Sequence, residues 1–335
     1  YFDIPFERQH KYFDDLPPFI IYGLTLAIHT TLCYGLQVIL YPKFDSKGFP
    51  RLFAKYKPNH FSALADHLKY LAEDPLTKNM NLSFLISAGV GGDTLNAEME
   101  RTVNEYLKRN GCLYEVAKGY GMTELCATSV CSFRGANAIG SVGVPLVSNT
   151  IKIVDMDTGK ELSYNQTGEI WISAPSAMLG YYKNQKETNE VLITDENGTR
   201  WVKTGDLGRM NSDGLLFHEG RIRRIYLTTF EGQPAKIFPG LIESAVKELP
   251  DVFDCTAVAR FRAGSAYYEP VVYVILHPEH KPWDTLTKEL QRICAKSLPT
   301  YMQPVEYRFV TEFPHTPIGK VDYRALERMA ADEQV

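Results

Sequence analysis

The hexapeptide GYGMTE, residues 119–124, places a threonine and a glutamate directly after two glycines. It follows CLYEVAKGY, which predicts a strand, and precedes the small residues LCATSV. Glycines at the carboxyl end of a sheet strand let a ligand approach the backbone. Tyr120 offers a flat face, Thr123 a hydroxyl for a phosphate oxygen, and Glu124 a hard oxygen ligand for Mg²⁺. The alternative interpretation is a tight turn with a capping threonine and a solvated glutamate.

Two further groups of polar residues follow downstream. Asp206 lies in VKTGDLG, and Arg221 follows a glycine in GRIRRI after a predicted hairpin. A carboxylate that accepts from two vicinal hydroxyls is a common way to bind ribose, and a guanidinium can support it. Lys320 lies in the proline-rich loop PHTPIGK, where it could meet an anion as a flexible point charge. Taken singly, each group is also explained by a surface turn or an exposed cation.

The elements that must position these residues change along the chain. Up to about residue 125, strands and helices alternate: LQVILYP and LSFLISAG predict strands, whereas GFPRLFAKY, FSALADHLKYLAED and DTLNAEMERTVNEYLKRNG predict helices. In the last of these helices Asp93 can act as the N-cap and Gly111 can end the helix, and the apolar residues that recur at four-residue steps are Leu95, Met99, Val103 and Leu107. Alternating strands and helices predict an α/β layered sheet with largely parallel strands.

The pattern divides the chain into three predicted domains. Residues 1–137 form the α/β part, residues 138–220 form a subdomain of short antiparallel strands that is barrel-like, and residues 221–335 form a small α+β domain. The last domain combines helices such as PGLIESAVKEL with strands such as CTAVARF and PVVYVIL. The sequence contains no internal repeat.

Composition excludes several classes of function. The formal net charge is −4 with no basic block, so a nucleic-acid partner is not expected. No apolar run reaches the length of about 20 residues that spans a bilayer, and the most apolar stretch, residues 19–40, predicts a buried helix and strand. The six cysteines show no disulfide-like spacing, which is typical of reduced thiols in a cytoplasmic protein.

Eight segments, in this order and spacing, resemble the adenylate-forming superfamily of acyl-CoA synthetases, adenylation domains and luciferases. They are LPPFIIYGLT (16–25), SFLISAGVGGDTL (83–95), GYGMTE (119–124), GSVGVPL (140–146), TGEIWISAPSAMLGYY (167–182), VKTGDLG (202–208), GRIRRI (220–225) and PHTPIGKVDYRAL (314–326). The resemblance covers essentially the whole chain. It implies a large layered N-terminal domain, of which this chain carries a part, and a small mobile C-terminal domain.

The resemblance also implies a role for each candidate residue. Tyr120 would stack on adenine, Thr123 would bond the AMP phosphate, and Glu124 would hold Mg²⁺. Asp206 and Arg221 would bind the ribose hydroxyls. The catalytic residues implied are Lys320, Thr123 and Glu124, and the nucleotide-binding residues are Gly89, Tyr120, Gly121, Met122, Thr123, Asp206, Arg221 and Lys320.

Enzymes of this kind run two half-reactions in one site, and the resemblance implies the same here. An acid and ATP give acyl-AMP and pyrophosphate, and a thiol then displaces AMP. The C-terminal domain swings between the two steps about a hinge residue, which is Arg223 in this sequence. The superfamily usually has Asp or Lys at that position. Lys320 would be required only before the swing, when it reaches the bridging oxygens of ATP.

Three features depart from the superfamily pattern. The glycine-rich phosphate loop with its lysine is not found in these residues, and the start YFDIPF reads like the middle of a protein. We therefore expect a fragment that does not adenylate an acid by itself. Ile20 replaces a histidine that borders the acyl pocket in relatives, which is consistent with either an apolar acid or a structural exchange. The segment YLTTFEGQPAKIFP is about four residues longer than the matching loop, which leaves the thiol acceptor open.

The sequence therefore predicts an ATP-dependent, AMP-forming acid–thiol ligase that uses Mg²⁺ and transfers an acyl group to coenzyme A. An adenylation domain that loads an amino or aryl acid onto a carrier protein is the first alternative. Such a domain would need a buried aspartate for an ammonium group, and Asp14 and Asp15 are predicted to be solvated. The second alternative is a non-catalytic module that binds AMP or acyl-AMP.

Overall fold

The computed structural model describes residues 4–41, 43–92, 95–261, 267–316 and 320–332. The chain folds into two units. The first comprises Tyr1–Thr204 and Gly208–His218, and the second comprises Gly205–Leu207 and Glu219–Val335. The boundaries after residues 137 and 220 came from changes of sequence pattern rather than from contacts, and the three-domain division stays a prediction.

Seven strands form the main sheet of the first unit. They are β1 (Lys11–Asp14), β2 (Gln37–Leu40), β3 (His60–Ala63), β4 (Ser87–Gly91), β5 (Ala117–Met122), β6 (Ala127–Cys131) and β7 (Val144–Pro145). Their order is β2-β1-β3-β4-β5-β6-β7. The five strands β1 to β5 run parallel, and β6 pairs antiparallel with both β5 and β7. The predicted, largely parallel sheet is confirmed, and the carboxyl ends of five strands therefore lie at one edge.

Helices cover this sheet. They are a π-helix (Tyr22–Thr30), α1 (Thr31–Cys33), α2 (Phe49–Tyr56), α3 (Ala65–Glu73) and α4 (Ala97–Arg109). The predicted helix FSALADHLKYLAED is only partly right, because its first residues belong to β3. In α4, Val103 and Leu107 are buried as expected. Asn96 is the N-cap and accepts a hydrogen bond from the amide of Met99, whereas Asp93 lies outside the described residues.

The apolar stretch at residues 19–40 forms a helix and a strand, as predicted, but it is not buried throughout. Gly23 and Ala27 face the interior. Phe19 is 79% exposed and Leu32 is 60% exposed, so the opposite face of this segment carries large apolar side chains at the surface. Among the described residues, no helix combines the length and the apolar character that crossing a bilayer requires.

Asp14 ends β1 at the carboxyl edge of the sheet and Asp15 follows it, and their predicted exposure is wrong. They are 2% and 1% exposed. One oxygen of Asp15 lies 3.2 Å from Nε2 of the buried His67, and Asp14 accepts a hydrogen bond from the amide of Leu16 at 3.1 Å. Burial raises the pKa of the Asp14 carboxyl to about 7, with a smaller contribution from the neighbouring Asp15. The edge of the sheet therefore contains a buried acid that changes charge near neutral pH.

Replacing Asp14 with asparagine is expected to stabilise the protein in a pH-dependent way. An acid whose folded-state pKa is raised contributes its full stabilisation below its unfolded pKa, and that contribution is lost progressively as the pH rises through about 7. The stability advantage of Asp14→Asn should therefore grow by about 2–3 kcal/mol between about pH 5 and about pH 8. Chemical denaturation at both pH values measures it. Asp157→Asn, at an exposed turn, is the control and should show no such growth.

A second, antiparallel sheet follows the first. Its strands are β8 (Thr150–Val154), β9 (Gly168–Ser173), β10 (Leu192–Thr194), β11 (Arg200–Met210) and β12 (Leu216–Arg221), with α5 (Gln185–Val191) before β10. The order is β10-β11-β9-β8, and β12 pairs with β11. Ile170 and Ile172 alternate with partly exposed residues and pack with Val202 and Leu216 in one core cluster. The predicted region of antiparallel strands is confirmed.

The second unit combines helices with strands, as its sequence predicts. Its elements are β13 (Tyr226–Phe230), β14 (Gln233–Ile237), α6 (Pro239–Val246), β15 (Val252–Phe261), β16 (Tyr268–Leu276), α7 (Trp283–Ser297), β17 (Glu306–Phe309) and α8 (Tyr323–Asp332). Strands β15, β16 and β17 form one sheet in that order. Helices α6 and α7 pack on it through Ile242, Leu286 and Leu290, which are fully buried.

The segment that was read as an extended loop after Arg223 is a β-hairpin. Strands β13 and β14 pair antiparallel from Tyr226 with Ile237 to Phe230 with Gln233. Glu231 and Gly232 form the two-residue connection, with φ of 50° and 77°. Positive φ at both positions is typical of the tight turn that matches strand twist. The extra residues therefore lengthen a regular arm of the second unit.

Candidate active site

The residues 119–124 begin inside a strand rather than after it. Strand β5 continues to Met122, and Thr123 to Leu125 form a single 3₁₀ turn. A register shift between Tyr120 and Gly121 interrupts the pairing with β6. Such bulges change the direction of a strand and are frequent beside active sites. Thr123, at the end of β5, is exposed at the carboxyl edge of the sheet.

Gly121 lies too close to its neighbouring strand to carry a side chain. A Cβ atom at this position would lie 1.7 Å from the carbonyl oxygen of Ala127. Cys126 and Ala127 both have positive φ, 59° and 86°. Two consecutive non-glycine residues in that region are costly, and such strain is often found at functional sites. The glycine thus permits the sharp reversal that presents Thr123 and Glu124.

Glu124 is held from both its side chain and its backbone. The Tyr181 hydroxyl donates to Glu124 Oε1 at 2.6 Å, and the amide of Met178 donates to the carbonyl of Glu124 at 2.8 Å. Tyr181 received no role from the sequence, although it lies in one of the eight matched segments. Tyr181 binds Oε1 of Glu124 and not Oε2. Carboxylate oxygens are hard donors of the kind that Mg²⁺ requires.

Tyr120 and Gly89 lie on adjacent strands of the same sheet. The Tyr120 ring contacts the His218 ring with centroids 5.6 Å apart. Gly89 lies on β4 opposite Ala117 of β5, and a Cβ atom there would meet the carbonyl oxygen of Phe61 at 3.2 Å. The structure therefore places Tyr120, Gly121, Met122, Thr123 and Glu124 at the carboxyl end of β5, whereas Gly89 lies in the middle of β4, level with the start of β5. Ligands of open α/β sheets bind at such edges.

Asp206 and Arg221 form an ion pair within the second unit. Arg221 Nε lies 2.9 Å from Asp206 Oδ1. The Asp206 side chain is 1% exposed, whereas that of Arg221 is 52% exposed. Strands β11 and β12, which are paired, carry these two residues. The guanidinium fixes the orientation of a buried carboxylate, which is the arrangement needed to accept hydrogen bonds from a diol.

The turn around Arg223 contains a residue that the sequence did not single out. Ile222–Arg224 form a 3₁₀ turn in which Arg223 is exposed. Arg224 Nη2 donates to Glu243 Oε1 at 2.5 Å and to the carbonyl of Ala257 at 2.8 Å. Its guanidinium carbon also lies 3.9 Å from the centroid of the Tyr323 ring. Arg224, the residue after the predicted hinge, is thus held by α6, β15 and α8. No spacing rule in the sequence indicates these contacts.

Lys320 is exposed on a short loop directly before α8. The amide of Thr316 donates to the carbonyl of Lys320 at 2.7 Å, and a bridge joins His315 and Val321. Pro317 of the predicted proline-rich loop lies outside the described residues. The backbone at Lys320 is therefore held by the hydrogen bond from Thr316, and the lysine is exposed to solvent. Its role, like those of the other candidate residues, stays a prediction.

Comparison with known proteins gives a consistent result. Residues 3–182 match the family model described as AMP-binding enzyme, and residues 241–320 match that of the AMP-binding enzyme C-terminal domain. The chain is 29% identical over 331 residues to 4-coumarate–CoA ligase-like 8 of Arabidopsis thaliana, covering 97% of this chain and 57% of that protein. It is 34% identical over 244 residues to probable 4-coumarate–CoA ligase 1 of Dictyostelium discoideum, covering 72% and 42%.

Solved structures share the fold. ATP-bound MatB from Rhodopseudomonas palustris superposes with a TM-score of 0.81 at 22% identity, covering 98% of this chain and 61% of that one. The anthranilate CoA ligase AuaEII in complex with anthranoyl-AMP gives a TM-score of 0.77 at 22% identity, with the same coverage. The chain thus spans about three fifths of each of these structures and 57% of the Arabidopsis relative.

Proposed function

Because the chain belongs to the AMP-binding enzyme family, we propose that it contributes the nucleotide-binding edge and the C-terminal domain of an AMP-forming acid–thiol ligase. The buried Asp206 with its Arg221 partner is the observation that carries the proposal. A fully buried carboxylate is costly unless it is paired, and this one is paired with a side chain that stays half in solvent. A ribose diol provides the donors that such a carboxylate accepts.

The proposed reaction has two steps. A substrate carboxylate oxygen attacks the α-phosphorus of ATP, the bond to the bridging oxygen breaks, and pyrophosphate leaves. The thiol sulfur of coenzyme A then attacks the acyl carbon, its proton is lost, and AMP leaves as the thioester forms. In-line displacement on phosphorus concentrates negative charge, which fixed cationic groups stabilise.

We assign the residues as follows. Tyr120 stacks on adenine, Thr123 donates to the α-phosphate, and Asp206 with Arg221 binds the ribose. Gly89, Gly121 and Met122 shape the backbone around the nucleotide. Glu124 is the residue that would hold Mg²⁺, which supplies charge neutralisation at the phosphates when bound. Lys320 provides its ammonium group in the first step only, because Arg223 is the proposed hinge about which the C-terminal domain moves afterwards.

Asp206→Ala is expected to weaken AMP binding by about 10- to 100-fold, because a hydrogen bond to a charged group contributes about 1.5–3 kcal/mol. The ribose contact is made throughout, so both half-reactions should require more nucleotide. Isothermal titration with AMP measures the effect. Asp213→Ala, at an exposed turn of the same hairpin, is the matched control and should bind AMP normally. Equal affinities for the two variants would remove Asp206 from the site.

A second candidate function gains support from the buried Asp14. The preference for an uncharged acid was based partly on the expected exposure of Asp14 and Asp15, and both are buried. An adenylation domain that loads an amino acid onto a carrier protein needs a buried carboxylate near the substrate. Asp15 is paired with His67, whereas Asp14 accepts a hydrogen bond from the amide of Leu16. We keep coenzyme A as the proposed acceptor because the named relatives are CoA ligases.

One assay separates these candidates. The complete natural protein is incubated with ATP, Mg²⁺, coenzyme A and a panel of aliphatic, aryl and amino acids, and pyrophosphate and acyl products are measured. Acyl-CoA from an uncharged acid supports the ligase. Transfer of an amino acid only to the pantetheine arm of a carrier protein would favour the second candidate. Tight binding of an acyl-AMP analogue without pyrophosphate release from any acid would indicate a non-catalytic binding module.

We also propose a cytoplasmic location, because all six cysteines are free thiols.

A further inference from the structure

A buried ion pair lies directly before residues 119–124, and the proposed reaction does not use it. Lys118 on β5 immediately precedes Gly119 and Tyr120, and its Nζ lies 2.5 Å from Oε1 of Glu100 on α4. The Lys118 side chain is 5% exposed and that of Glu100 is 0% exposed. Burial lowers the pKa of the Lys118 ammonium, and the Glu100 carboxylate opposes that shift. The pair is therefore a desolvated one, for which the loss of hydration offsets much of the attraction.

The remaining polar atoms of the pair bind a third segment of the chain. Lys118 Nζ donates to the carbonyl of Ala138 at 2.8 Å, and the amide of Gly140 donates to Glu100 Oε2 at 2.9 Å. In addition, the amide of Lys118 donates to Ser132 Oγ at 2.8 Å. One buried pair thus connects α4, the strand β5 and the turn at residues 138–140. That turn leads into the segment 140–146, which belongs to the eight matched segments.

We propose that Lys118 and Glu100 are positioning residues for the nucleotide, because they hold β5 and the turn at residues 138–140 in one fixed relation. A buried ion pair contributes little net stability compared with apolar residues of similar volume. Its value here is geometric, since binding groups must be held within about 0.5 Å of the productive arrangement. The inference relies on the proposed function only in taking AMP as the ligand.

The test replaces both charges at once. A single substitution leaves one buried charge unpaired and can unfold the protein, whereas Lys118→Met with Glu100→Leu keeps the volume apolar. The double variant should unfold within about 5 °C of the natural Tm. It should nevertheless bind AMP at least about tenfold more weakly, because residues 119–124 lose their fixed position. The same exchange at the partly exposed pair Lys281 and Glu289, whose Nζ and Oε2 atoms lie 2.8 Å apart, is the matched control.

A second readout reports on position without a ligand. Hydrogen exchange of peptides covering residues 138–146 should become faster in the double variant, while peptides covering α2 keep their protection. A double variant with natural AMP affinity and natural exchange at residues 138–146 would overturn the inference. If the natural protein itself does not bind AMP, the proposed function fails instead. The exchange rates then decide alone whether the pair fixes the turn.

Discussion

Replacing Lys320 with alanine is expected to lower the rate of acyl-adenylate formation by about 10²–10³, the usual loss when one fixed charge that faces the transition state is removed. Formation of the thioester from supplied acyl-AMP should change by less than about threefold, because the resemblance requires Lys320 only in the first half-reaction. The complete natural protein and its variant are compared in both assays, pyrophosphate release for the first step and AMP release for the second. Lys320 is exposed, so the substitution should not affect folding.

Lys296→Ala is the matched control, since Lys296 is an exposed lysine of the same unit on α7. It should leave both half-reactions unchanged. Equal losses in the two half-reactions for Lys320→Ala would contradict the assignment of this residue to the first step and the hinge role of Arg223 with it. A loss in neither step would remove Lys320 from the catalytic residues altogether.

Replacing Gly121 with alanine is expected to cost the protein about 1–3 kcal/mol of stability and most of its affinity for AMP. The added Cβ atom would lie 1.7 Å from the carbonyl oxygen of Ala127, so β5 and β6 must move apart. Backbone atoms cannot rotate out of the way as the end of a flexible side chain can. The movement occurs between Tyr120 and Thr123, which are the residues assigned to adenine and phosphate. Thermal unfolding and AMP titration measure the two effects.

The control for this substitution lies two residues away on the same strand. At Gly119 an added Cβ atom would lie 3.4 Å from Thr128 Cγ2, an ordinary van der Waals contact. Gly119→Ala should therefore keep stability within about 1 kcal/mol and keep AMP affinity. If Gly121→Ala behaved like Gly119→Ala, the close approach of β5 to Ala127 would not matter for the site.

Much of the fold could be predicted because its signals are local. Helix α4 shows apolar residues at a four-residue step, and Val103 and Leu107 are buried as that step requires. Along strand β9, the buried residues Ile170 and Ile172 alternate with partly exposed residues. Strand β1, in contrast, has only four residues, and its partners β2 and β3 follow more than twenty residues later in the chain. Nothing near β1 in the sequence indicates those pairings.

The burial of single charged residues could not be read from the sequence. Asp14 and Asp15 precede LPPF and look like a solvated turn. In the structure, however, β1 lies between β2 and β3 in the parallel sheet. Asp15 is paired with a histidine 52 positions away, His67. Lys118 and Glu100 likewise lie on different elements and become partners only when α4 packs on β5. Tertiary packing, rather than composition or spacing, decides these pairs.

The candidate site could be predicted by residue type and only partly by geometry. The pairing of Asp206 with Arg221 follows from two paired strands, and the sequence indicated both residues. The contact of Tyr181 with Glu124 and the fixed position of Arg224 were missed, because neither residue has a motif that assigns it a role. The segment after Arg223 was read as a loop, since the positive φ of Glu231 is unusual for that residue type.

A crystal structure of the complete natural protein with a non-hydrolysable acyl-AMP analogue shows whether Asp206 binds the ribose. We expect both ribose hydroxyls to lie within about 3 Å of the Asp206 carboxylate, with Arg221 still paired to it. Electron density that places the ribose away from Asp206, while the Asp206–Arg221 pair stays without contact to the nucleotide, would contradict the assignment of this chain to an acid–thiol ligase.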